Sequence, residues 1–64
     1  MENDVVRQEY RKLTDDEKLA VKTVKGIGQN FIDACNFIGD SRELSLAVTN
    51  MEQAVMWAVK HITA

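Results

Sequence analysis

The sequence predicts an all-α fold: an antiparallel helical hairpin with a short N-terminal helix, assembled as a homo-oligomer. Proline is absent from its 64 residues, and β-branched residues never alternate strictly with polar ones, so helices are the only periodic element in view. The stretch from Leu44 to Trp57, LSLAVTNMEQAVMW, is too apolar for a single packed face. As a helix it sets Leu44, Val48, Met51, Val55, Ala58 and Ile62 on one seam at steps of 4, 3, 4, 3 and 4. Leu46, Val59 and Trp57, with Ala47 and Ala54 between, widen the stripe beyond that seam. A short chain can bury one such face against a helix of its own, but hardly two. Length points the same way, because a lone core of this size is marginal without a staple. One cysteine and one histidine exclude a disulfide framework or a metal cluster, which leaves oligomerisation.

The elements follow in order within one domain, residues 1–64. Asp4 to Lys12, DVVRQEYRK, reads as a short helix over about 3–12. Only Val5, Val6 and Tyr10 can pack there, so it needs a surface to dock on. Thr14-Asp15-Asp16-Glu17 fits a capping box, and its acids suit the positive end of the helix dipole. From there a seam runs through Ala20, Val24, Ile27, Phe31, Ala34 and Ile38. Gly39 is placed to end that helix in a left-handed turn, and Asp40 or Ser41 to cap the next, with Glu43 completing a box from Asp40. The hairpin helices therefore cover about 15–38 and 41–62, roughly 36 and 32 Å long at 1.5 Å per residue. A short link between matched amphipathic helices gives an antiparallel pair.

Composition excludes several functions. A net charge of -2 and a pI near 5.2 argue against binding DNA or RNA polymers, which calls for a clearly basic surface. No apolar run approaches the roughly 18 residues of a membrane span, and no signal peptide precedes the first charges, so the expectation is a soluble cytoplasmic protein. Cys35, inside an apolar helical run, reads as a buried thiol in a reducing compartment. His61 stands alone near the C-terminus, with no nucleophile, base and orienter set around it. The chain reads as a non-enzyme without cofactor or metal.

The unusual polar segment is Lys22 to Gln29, KTVKGIGQ. Each glycine costs about 1 kcal/mol relative to alanine inside a helix, so Gly26 and Gly28 need a reason. One reason is close packing against another helix. The other is close approach of a ligand, with backbone and Lys25 offered to a phosphate. A P-loop is excluded, since the following lysine and hydroxyl residue and the preceding strand are missing. Lys18, Lys22 and Lys25 form one stripe at i, i+4 and i+7. It is either a solvated face paired with Asp15 and Asp16, or half of an anion site completed by Tyr10 and Arg11, where a tyrosine ring stacks on a base. Met56 and Trp57 read as core or interface residues. Arg42 opens the last helix beside Glu43. Thr49 and Glu52 interrupt the apolar surface, as exposed positions or facing a shared cavity.

Three segments carry a family resemblance: EYRKLT (Glu9 to Thr14), VKGIG (Val24 to Gly28) and RELSLAVTNMEQAVMWAVKHIT (Arg42 to Thr63). Through them the chain resembles the phage anti-CBASS cyclic-oligonucleotide sponges, whose hairpin domain is shared with anti-Thoeris sponges. The resemblance implies a compact hexamer of hairpins in the cytoplasm of an infected bacterium. Such a hexamer sequesters cyclic nucleotide second messengers without cleaving them and so starves the defence effector of its signal. It implies that Tyr10 stacks on a base, that Lys25 contacts a phosphate and that Arg11 makes a polar ligand contact, with Gly26 allowing close approach. Lys22, Gly28, Arg42 and Thr49 are secondary candidates. The family's second pocket, for cyclic trinucleotides, uses a basic residue just before the threonine of the last helix. Here Val48 precedes Thr49, so that pocket lacks its charge unless Arg42 supplies it.

Overall fold

The computed structural model describes residues 12–64. The N-terminal helix expected over 3–12, with Tyr10 and Arg11, lies outside the described residues except for Lys12, which has no secondary structure. Two helices form the described architecture, α1 from Asp15 to Ile38 and α2 from Arg42 to Ile62. They pair as an antiparallel hairpin, and the described residues contain no strand.

Local chemistry accounts for the ends. Thr14 has extended backbone at φ -71°, ψ 166° and accepts from the Glu17 N–H at 3.1 Å. Glu17 Oε1 accepts from the Thr14 N–H at 2.9 Å, which completes the capping box. Asp15, Asp16 and Glu17 fill the first turn, where carboxylates meet the positive end of the dipole. Gly39 ends α1 differently from expectation. Its backbone, at φ 164° and ψ -154°, is extended rather than left-handed, and its N–H reaches the Cys35 carbonyl at 3.3 Å. Of the two capping candidates, Ser41 takes the role. Its hydroxyl accepts from the Leu44 N–H at 3.1 Å, so α2 starts at Arg42. Leu44 then occupies the position a box would give to an acid, which leaves Glu43 outside it. Lys60 and His61 in the last turn of α2 suit the negative end of its dipole.

The expected seam of α2 faces α1: Leu44, Val48, Met51, Val55, Ala58 and Ile62 are all half-buried. The seam expected for α1 holds only at Ala20 and Val24. Ile27 is 61% and Ile38 72% exposed, with Phe31 and Ala34 also outside, and the inner line runs instead through Gly28, Ile32 and Cys35. Gly28 decides this rotation. A Cβ there would collide with Val55 Cγ2 and touch Met51 Cγ at 3.8 Å, so α2 rests directly on the α1 backbone. A reading that follows large side chains steps past a position defined by having none.

Little is interior. Among the described residues only Gly28 and Cys35 are buried, and no side chain is fully enclosed. Met56 and Trp57 do not belong to the hairpin core; Trp57 is 61% exposed, with Lys60 Nζ 5.5 Å from its ring centroid. Leu19, Phe37 and Leu46 are exposed as well. At about 100° per residue, Ile27 and Phe31 fall on one flank of α1, while Lys25 and Gln29 fall on the other.

Candidate functional site

Mid-way along α1 the polar flank opens into a groove between the two helices. Lys25, Gly28, Gln29 and Ile32 line it from α1, Glu52 and Val55 from α2, around a volume of about 310 Å³. The composition is uneven. Ile32 and Val55 form an apolar floor, Lys25 brings a cation from one helix and Glu52 a carboxylate from the other. Gln29 is held in place by its own helix, its Nε2 donating to Asp33 Oδ1 at 2.9 Å.

The sequence candidates divide around this groove. Lys25 and Gly28 line it, and Gly28 is there because the helices touch. Gly26 is exposed, and a Cβ on it would meet nothing within 4 Å. Packing within the hairpin therefore explains Gly28 and gives no reason for Gly26. Lys22 and Thr49 are exposed and do not line the groove. Arg42 lies at the turn, well over a dozen residues along the hairpin from Lys25. Lys18, Lys22 and Lys25 are all exposed, and among the described residues no ion pair joins them to Asp15 or Asp16.

Gln29, Ile32 and Val55 were not picked out as site residues. Gln29 had a faint signal, four residues after Lys25 and so on the same helix flank. The other two needed the register between the helices. A second groove of about 460 Å³ lies at the open end of the hairpin, lined by Asp16, Glu17, Ala20, His61, Ile62 and Ala64. His61 is exposed there, and among the described residues no group of three His, Cys, Asp or Glu side chains is placed to hold a metal ion. No described helix is long and apolar enough to cross a membrane.

The hairpin has a counterpart among known families. The model of the Acb2/Tad1 hairpin domain matches residues 2–63. The chain belongs to that family. Acb2/Tad1 hairpin proteins are anti-CBASS and anti-Thoeris sponges, so the resemblance carried by the three segments above holds, and with it an anti-defence sponge role in general terms. A sponge-family domain implies binding rather than turnover. Searches of curated proteins and of solved structures gave no significant match.

Proposed function

We propose that this chain is a phage sponge that binds cyclic di- or oligonucleotide second messengers and withholds them, uncleaved, from CBASS-type immunity in the cytoplasm of the infected cell. The observation that carries the reading is the family match over residues 2–63. The groove supports it, because Lys25 stands exposed beside an apolar floor, the pairing a phosphate with an adjoining base requires. In this reading Tyr10 stacks on the base, Lys25 and Arg11 take the phosphates, and Gly26 admits the ligand or a neighbouring helix. The active form is a homo-oligomer, a hexamer by family analogy. A twofold interface supplies two copies of Tyr10 and Lys25 for the two halves of a cyclic dinucleotide.

Native mass spectrometry with and without a mixed cyclic-nucleotide pool tests the proposal. We expect an oligomer that gains the mass of an intact nucleotide, recovered unchanged after heat denaturation. Lys25→Ala should lose the ligand and keep the oligomer; unchanged affinity removes Lys25 from the site. A second reading, a small helical phage protein acting through protein–protein contacts, draws on the exposed Leu19, Phe37 and Trp57. It predicts no nucleotide adduct under any condition.

A further inference from the structure

The groove beside Lys25 is chemically two-sided. Lys25 contributes an ammonium from α1, and Glu52 contributes a carboxylate from α2; both are exposed. Among the described residues no ion pair joins them, so neither is committed to the other. Gln29 adds to the acceptor side. One N–H of its amide goes to Asp33, and its oxygen stays available as a further acceptor.

A phosphate seated at Lys25 is attracted there and repelled by Glu52, so the carboxylate is wrong for more anion and right for a part of the ligand that donates hydrogens. Nucleobases differ in this respect. The Watson–Crick edge of guanine presents two adjacent donors, N1–H and N2–H₂, matching the two oxygens of a carboxylate. Adenine offers one amino group and uracil one imino group. A carboxylate that accepts from a base edge is a standard means of base selection, and enzymes that hold unpaired bases read the same edge.

We infer that Glu52 is the base-reading residue of this groove and selects guanine-bearing cyclic dinucleotides over adenine- or uracil-bearing ones. The inference rests on the sponge reading above and names its preferred ligand. Hydrogen bonds to a charged partner are the stronger class, so loss of this one should change affinity by about tenfold or more.

The test is calorimetry on the full chain, unmodified and as Glu52→Gln, with cyclic di-GMP, cyclic di-AMP and cyclic di-UMP. Glu52→Gln keeps the shape and removes the charge, and circular dichroism checks that it folds. The unmodified protein should prefer cyclic di-GMP. The variant should lose about tenfold for that ligand while its affinity for cyclic di-AMP stays within about threefold. An unmodified protein with no guanine preference overturns the inference, as does a variant that changes all three ligands equally. If the unmodified protein binds none of the three, the inference falls, and the sponge reading falls with it when the mixed cyclic-nucleotide pool also leaves no adduct. Binding whose ranking survives Glu52→Gln leaves the sponge reading intact and removes the base-reading role alone.

Discussion

A methyl group added at Gly28 would run into Val55, whereas one added at Gly26 would enter open space. The two glycines look alike in sequence and answer different needs. Gly28→Ala gains helix propensity of about 1 kcal/mol but overpacks the contact at a cost of about 1–3 kcal/mol, so a net loss of thermal stability is expected. Gly26→Ala should raise the melting temperature, because propensity improves and nothing is crowded. If Gly26 serves a ligand or a neighbouring copy, the same variant binds nucleotide more weakly. Thermal melting beside calorimetry reads both effects, and a stabilised Gly26→Ala with full affinity removes that residue from the site. Lys25 and Gly28 were legible as site candidates because a charge and a missing side chain each need explaining. Ile32 and Val55 were not, since an apolar residue on an amphipathic helix looks the same under a ligand as under a partner helix. Tyr10 and Arg11 rest on their chemistry and on the resemblance, and both lie outside the described residues.

Each helix owes its start to a few polar atoms, readable in advance for α1 and narrowed to Asp40 or Ser41 for α2. The Thr14–Glu17 box appears as expected, and Ser41 caps α2. Thr14→Ala and Ser41→Ala should each cost about 1 kcal/mol, the usual worth of an N-cap, as a downward shift in chemical denaturation midpoint. Thr14→Ala breaks both bonds of a reciprocal box and should be the worse of the two. The faces of the helices were less evenly legible. In α2 the large apolar residues at alternating steps of 4 and 3 do point at the partner helix. In α1 the same rule chose Ile27, Phe31, Ala34 and Ile38, which the hairpin leaves outside. Periodicity reports that a face is apolar; it does not say which neighbour covers it. Contact with α2 selects the line where backbones approach most closely, and Gly28 marks that line. The C-terminus of α1 shows another limit, because a glycine there permits a left-handed residue without requiring one.

For the molecule as a whole, the balance of inside and outside is unusual. Two apolar stripes run along α1, and the hairpin covers one of them. Among the described residues, eight large apolar side chains, Leu19, Ile27, Phe31, Phe37, Ile38, Leu46, Met56 and Trp57, remain exposed on the single chain. Helix hairpins of this length have few other sources of stability, so folding and association should be linked. The melting temperature should therefore rise with protein concentration, and emission from Trp57 should shift to the blue over the same range as its surroundings dry. A melting temperature independent of concentration, with Trp57 emission typical of water, would show a self-sufficient monomer. Cys35 has a separate consequence. At 4% exposure it is the most sheltered side chain of the hairpin and its one thiol. Two folded copies cannot be welded through their sulfurs, however closely they associate. Any association should thus stay reversible under oxidising conditions, and a covalent pair on a non-reducing gel would record hairpins that had already sprung open.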